Sequence, residues 1–481
     1  MILLFHPIIL AGLVIDSPFL GRNTPLYDTF DNVTVYTAPT EWKNRGTMYG
    51  RVVLLNKNCE KNNVLLSTWT VSAPNKTYLP IYKSLDLGRT WNPLSKVYFK
   101  TPNYTAIAEP FLYELGESFG DYPAGTVLLS ANTFSKVGTA IELHASVDKG
   151  KTFEYVSTVA TGGPPNVTDG GTSVWEPFIL AHSNKLGVFY SDSRDPLHSQ
   201  KLSHQTSTDL LHWSQPVNDA ASQNYTLRPG MTTIAKMGNG KFILFYELDK
   251  VTGVPAYAKQ PVHYRIADSP FKFNGAREHM LVSTDGTVAS SAPQTIWTPA
   301  GGVNGTILTS ASHAEDFFIN TAYGDPSAWI RVDSGHGVGY SRALEIMPNT
   351  DGKVVLVFNG GSWQDGPKQA LSPSTVTLDF RGCSASNSSD ASLMSNSLAV
   401  RANITLSSLI TRVCPWSKLE RSPRPFCGVY RIIRIYHPSF WEKFLSPRPV
   451  FWAFLNYLMD DPDHSASGRV PMQVGIIALL L

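Results

Sequence analysis

The chain has 481 residues, of which 42% are hydrophobic and 16% charged, so it can bury a sizeable core and is not a disordered protein. With Gly 36, Pro 33 and an aromatic share of 11%, it is rich in turns, which points to an all-β fold rather than long helices. Lys+Arg 40 against Asp+Glu 38 gives a formal charge of only +2, without the concentrated basic face of a nucleic-acid binder.

Residues 1–15 are apolar and too short for a membrane span, which suits a secretory leader over residues 1–23 and argues against stable membrane association. Pro7 interrupts the apolar run and no basic residue precedes it, so a misassigned start codon is the other reading. Acceptor sequons at Asn32, Asn75, Asn103, Asn166, Asn224, Asn304, Asn387 and Asn403 favour a secreted, extracellular glycoprotein. The short strand Thr34–Pro39 is placed to close a ring with the last repeat unit.

A repeat follows. Ser84-Leu85-Asp86-Leu87-Gly88-Arg89-Thr90-Trp91 recurs as Ser146-Val147-Asp148-Lys149-Gly150-Lys151-Thr152-Phe153, and in worn form as Ser207-Thr208-Asp209-Leu210-Leu211-His212-Trp213. The repeat reads as a hairpin turn in which the aspartate can accept bonds from turn N–H groups, glycine takes a positive φ in the first two copies, and the aromatic residue returns to the core. These aspartates are therefore read as structural. Weaker copies are placed at Asp268–Phe273 and Gly324–Trp329.

Ahead of each turn lie two apolar strands joined by a short polar turn: Gly46–Trp69, Glu109–Asn132, Glu176–Asp192, Arg228–Glu247, Ala292–Ala311 and Tyr340–Asn359. Ser374–Phe380 alternates as a further strand. Residues 24–383 thus divide into six units of about 60 residues and about four strands each, which is the arithmetic of a six-bladed β-propeller.

The remainder, 384–481, lacks the repeat. It opens Ser/Asn-rich, and Arg412–Val450 then mixes eight basic with two acidic residues among aromatics and prolines. It is read as an unstructured extension or a gene-model artefact. Cys414 and Cys427 lie there, while Cys59 and Cys383 near the ends of the body either pair or stay free; no cysteine or histidine spacing suggests a metal site, and no cofactor is expected. His144, His198, His204 and His313 are assigned ordinary structural or surface roles.

A propeller brings its first strands to one axis, so polar residues there share a pocket. Glu109 and Glu176 occupy the same slot of successive units, in Ala108-Glu109-Pro110-Phe111 and Trp175-Glu176-Pro177-Phe178. Arg228 opens the fourth unit, Phe245-Tyr246-Glu247 closes its second strand, the sixth offers Tyr340-Ser341-Arg342, Arg45 precedes the first strand pair, and Asp192, Arg194 and Asp195 follow the third. Two carboxyl groups on one pocket suit glycoside hydrolysis, one protonating the departing oxygen and the other supporting the positively charged sugar. The structural alternatives are that Glu109 and Glu176 bond backbone where proline breaks a ladder, and that Glu247 is an exposed strand end.

The turn repeats resemble the Asp boxes of the sialidase superfamily, and the strings SVWEPFIL and KFILFYELDK, with their spacing, are similar to those of the fungal secreted glycoside hydrolase family 93. The resemblance covers residues 24–383. It implies a six-bladed propeller, an exo-acting and retaining 1,5-α-L-arabinanase that releases arabinobiose from the non-reducing end of arabinan, Glu176 as acid/base, Glu247 as nucleophile, and Tyr340 in the active site. Trp175, Tyr246, Glu109, Arg228, Arg342 and Arg45 are the expected substrate-binding residues of a monomer. The rivals are a sialidase, with Arg45, Arg228 and Arg342 as an arginine triad and a Tyr340/Glu247 nucleophile pair, and a non-catalytic carbohydrate-binding propeller.

Overall fold

The computed structural model describes residues 29–42, 46–57, 63–73 and 77–361, with three short strands at 373–377, 455–457 and 472–474. The chain divides by contacts into two units, Met1–Ser408 and Leu409–Leu481. In the second, Leu455–Tyr457 and Met472–Val474 form an antiparallel pair. Cys59, Cys383, Cys414, Cys427 and Arg45 all lie outside the described residues.

The first unit is an all-β propeller. Five four-stranded antiparallel sheets and a sixth with three described strands follow one another, each a simple meander. We number these sheets blades 1 to 6. Their first strands are Thr47–Leu54, Ala106–Glu114, Val174–His182, Arg228–Lys236, Gln294–Thr298 and Ala343–Ile346. Each touches the first strand of the next blade, and the sixth touches the first, so the ring closes. The sixth blade's third strand is Pro373–Thr377, which starts one residue earlier than the alternation suggests; Leu378–Phe380 lie outside the described residues.

The core is divided among the blade interfaces. One apolar cluster lies between each neighbouring pair of blades, as with Leu66, Ile81, Ile107 and Leu129 between blades 1 and 2. Burial of such side chains at about 25 cal/mol per Å² makes the interfaces, rather than any single sheet, the source of hydrophobic stabilisation. Thr34–Pro39 contributes to ring closure without forming a regular strand: Val35 and Tyr36 pack into the cluster between blades 6 and 1, beside Met347 and Leu356.

The repeated turns of blades 1, 2, 3 and 5 hold each of these to the one before it. Asp86 accepts from Ser84 Oγ (2.8 Å), Thr90 N (2.9 Å) and Thr90 Oγ1 (2.6 Å), while Gly88, at φ +98°, donates its N–H to Ser84 Oγ. Asp148 repeats this with Ser146 and Thr152. Trp91 then packs edge-on against Phe358 of blade 6, at 5.6 Å between ring centroids. Trp213 of blade 3 donates to Ser157 Oγ of blade 2, and Trp329 of blade 5 to Tyr264 Oη of blade 4. In the Gly324–Trp329 copy, Asn320 takes the serine's part and accepts Gly324 N–H at 2.9 Å. Asp268–Phe273 does not form the motif, because Asp268 is exposed and pairs with Lys241 instead.

Candidate active site

Each blade carries a kink where its chain reaches the axis. Tyr49, Glu109, Glu176, Met231, Ala292 and Ser341 stand in the same slot of successive blades, and all have positive φ. In blades 1 to 4 the pairing register slips at this slot, as a β-bulge. A left-handed conformation at a non-glycine residue costs on the order of 1 kcal/mol or more, and the bulge turns the side chain out of the sheet alternation toward the axis. Tyr49, Met231 and Ala292 pack into one small cluster there, joined by Tyr340.

Above that cluster lies a cavity of about 700 Å³, lined by Tyr49, Glu109, Trp175, Glu176, Arg228, Glu247 and Tyr340 among others. Glu176 Oε2 accepts from Ser191 Oγ and Met231 N, both at 2.8 Å, and Oε1 accepts from Tyr49 Oη at 3.3 Å. Glu247 Oε2 accepts from Ala292 N at 2.7 Å and Ser291 Oγ at 3.2 Å, while Oε1 has no donor among the described residues. Gly230 pairs with Glu247 in the sheet, and a Cβ on it would stand 3.4 Å from Glu176 Oε2. The two carboxyl groups therefore converge across a position where glycine leaves room. Glu109 accepts the Glu176 N–H through Oε2 at 2.8 Å, tying two neighbouring slots together.

The cavity is acidic and its cations are engaged elsewhere. Arg51, fully buried, donates to Gly50 O, Ser341 O and Ser341 Oγ, and burial lowers its pKa to about 10. Arg228 spends its guanidinium on Ser199 and Gln200. Burial pushes Glu247 up to about 8, helped by the neighbouring Glu176 charge, and it raises Glu176 and Glu109 as well. Tyr340 is held well above its usual value by burial and then by Glu247 and Glu176, which keeps the phenol neutral. An ionised Glu247, which the role of nucleophile requires, is thus not what burial alone produces. Such a site holds protons at rest and favours positive charge that develops inside it.

Two of the expected binding residues stand apart from this cavity. Tyr246 faces the interface of blades 3 and 4 and bonds Glu278 and Arg265, because strand alternation turns it away from its neighbour Glu247. Arg342 is buried against the backbone oxygens of Ala311, Ala314, Glu315 and Gly337. Of the arginines drafted into a triad, only Arg228 lines the cavity among the described residues. Asp192 and Arg194 form a bidentate pair, and Asp195 holds Lys201 at 2.6 Å; none of these lines the cavity.

Sequence reasoning missed Tyr49, Asp249, Gln260, Ser291 and Ser312 and gave His313 only an ordinary structural or surface role, yet all six are on the cavity wall. Tyr49 was findable, since Met48-Tyr49-Gly50 occupies the slot of Ala108-Glu109-Pro110. Gln260 and His313 come from loops outside the repeat and carry no such signal.

No protein-family model and no curated protein matches the chain. Solved structures do. The GH93 α-L-arabinofuranosidase of Fusarium graminearum, solved with arabinobiose, is 39% identical at a TM-score of 0.68, over 73% of this chain and 98% of that one. A structure of the same organism's α-L-arabinofuranosidase with an iminosugar inhibitor matches to the same extent. The Penicillium chrysogenum α-L-arabinanase complexed with arabinobiose is 35% identical, again at 0.68, over 73% of this chain and 98% of its own.

Proposed function

The chain belongs to glycoside hydrolase family 93 and is an arabinan-degrading glycoside hydrolase, and on that premise we propose that it releases arabinobiose from the non-reducing end of α-1,5-linked L-arabinan, with retention of configuration. The observation that carries the reading is the convergence of Glu176 and Glu247 on one cavity, with one oxygen of Glu247 pinned by two donors and the other open.

Glu247 Oε1 attacks the anomeric carbon as Glu176 gives its proton to the departing glycosidic oxygen, leaving an arabinobiosyl ester on Glu247. Glu176 then takes a proton from water, which attacks the same carbon and frees both sugar and Glu247. The resting site holds Glu247 protonated in part, so the reactive form is the one in which the shared proton sits on Glu176. Positive charge developing on the sugar favours that form. Neutral Tyr340, whose hydroxyl donates to Met231 Sδ at 3.4 Å, stands on the wall of this region, and Trp175 and Arg228 line the path of the sugar.

The acidic lining supports a neutral sugar over an anionic sialoside, because a substrate carboxylate would meet four carboxyl groups and no uncommitted arginine among the described residues. A purely sugar-binding propeller gains nothing from carboxyl groups whose burial disfavours their charged form. The test is product analysis on linear arabinan and on a sialoside. Arabinobiose as the first product supports the reading; release of sialic acid, or a random ladder of long products, overturns it.

Secretion is part of the proposal and rests on the apolar start and the sequons. Asn32, Asn103, Asn166 and Asn224 are exposed, whereas Asn304 is half-buried and donates Nδ2 to Thr321 O at 3.0 Å. Peptide mapping of protein secreted by a eukaryotic host should find glycan on the exposed four and none on Asn304.

A further inference from the structure

Beside the catalytic cavity lies a second one, of about 440 Å³, lined by Tyr257, Ser290, His313, Asp316, Arg331 and Asp333 among others. The two share a wall. His313 lines both, and the second strand of blade 4 ends in Asp249 on the first, while the loop that follows gives Gln260 to the first and Tyr257 to the second. The loop is fastened on blade 5: Gln260 O accepts from Ser291 N at 2.9 Å, and Ala258, at its centre, is fully buried. Facing it, Ser312 N donates to Ser291 O at 2.8 Å, so both banks of the passage are anchored to the same segment.

Within this frame the side chains are fixed. Tyr257 is 51% exposed, yet its hydroxyl accepts Val288 N–H at 3.1 Å, which holds the ring upright at the edge of the cavity. Across from it Arg331 is clamped between Asp316 at 2.7 Å and Asp285 at 3.1 Å. An exposed flat ring opposite a rigid array of polar atoms is the chemistry that binds a neutral sugar, the ring covering C–H groups and the array meeting hydroxyls. An anionic ligand would meet Glu315, Asp316 and Asp333 on this wall, against a single guanidinium that two carboxylates already hold.

We propose that this second cavity holds further L-arabinofuranosyl units of the arabinan chain, on the leaving-group side of the bond that is cut, after the polymer has passed His313. The inference rests on the arabinan reading of the catalytic cavity and extends it from the bond that is cut to the chain behind it. It assigns Tyr257 to polymer binding and makes the enzyme prefer long chains.

The test is kcat/KM on linear α-1,5-arabino-oligosaccharides from trimer to octamer, for the full chain and for Tyr257→Ala and Tyr257→Phe. The wild type should act more efficiently as the chain lengthens. Tyr257→Ala should lose about tenfold on the octamer, mainly through KM, and keep its trimer rate, while Tyr257→Phe, which retains the ring, stays within about twofold of wild type on both. An octamer-to-trimer ratio that Tyr257→Ala leaves unchanged, an equal loss on both lengths, or a wild type indifferent to length would overturn the second site while the catalytic reading stands. A wild type that cuts none of these substrates overturns both.

Discussion

Glu247 and Glu176 differ in how their oxygens are held: Glu247 keeps one free of donors among the described residues, and Glu176 has both engaged. Replacing either by Gln keeps the shape and most of the hydrogen bonding, so turnover on arabinan should fall by about 10²–10⁴-fold with the thermal transition retained. Glu109 touches the reaction only through the Glu176 N–H, and Glu109→Gln should chiefly raise KM. The buried charge also sets a pH dependence of stability. Glu247 sits at about 8 in the folded chain against an ordinary 4.5, so between those values the unfolded chain gives up its proton and the folded one keeps it. Folding then binds a proton, and stability falls as pH rises through that window. Calorimetry should show Tm declining from about pH 4.5 to about pH 8, with a shallower decline in Glu247→Gln. A Tm that climbs over this range would contradict the burial described for the site.

At the scale of elements, the Asp-box turns act as clasps between blades. Asp86→Ala removes three hydrogen bonds to the turn that presents Trp91, and should cost about 1–2 kcal/mol by chemical denaturation, whereas Leu85→Ala, at an exposed position, should cost under about 0.5 kcal/mol. Equal effects would mean that the turn carries no load. These clasps were legible in the sequence because two copies keep the whole string of serine, aspartate, glycine and aromatic residue, and a third, at Asp209, lacks only the glycine, with Leu210 at φ +66° in the turn. The strand pairs were legible too, since each is two apolar runs about a short turn; Arg228–Glu247 is seen as Arg228–Lys236 and Phe242–Asp249. The copy at Asp268 failed because only the aspartate and an aromatic residue remained, without the serine and glycine that bind the turn. Tyr246 was misplaced for a different reason: adjacency to Glu247 along the chain suggested a shared pocket, but strand alternation puts neighbours on opposite faces. Loops that wall the cavity, such as the one bearing Gln260, belong to no repeat and follow no period that a sequence can display.

At the scale of the whole molecule, six repeats become one active site because the ring brings the same positive-φ slot of every blade to the axis. Blade 1 supplies Tyr49, blade 2 Glu109, blade 3 Glu176, blade 4 Glu247 and the sixth unit Tyr340, so no fragment short of the closed ring holds the site. Residues 24–383 expressed alone should accordingly fold as β-rich protein with the activity of the full chain, while a cut that removes blade 6 should abolish both; an active five-blade fragment would refute the dependence on closure. Azide separates the roles of Glu247 and Glu176. With an activated arabinoside, Glu247→Gly supplied with azide should regain turnover and yield an arabinosyl azide of inverted configuration. Glu176→Ala should yield the azide of retained configuration, because its nucleophile is intact. Exchanged configurations would reverse the two roles, and no azide product from either variant would contradict a covalent mechanism on this pair.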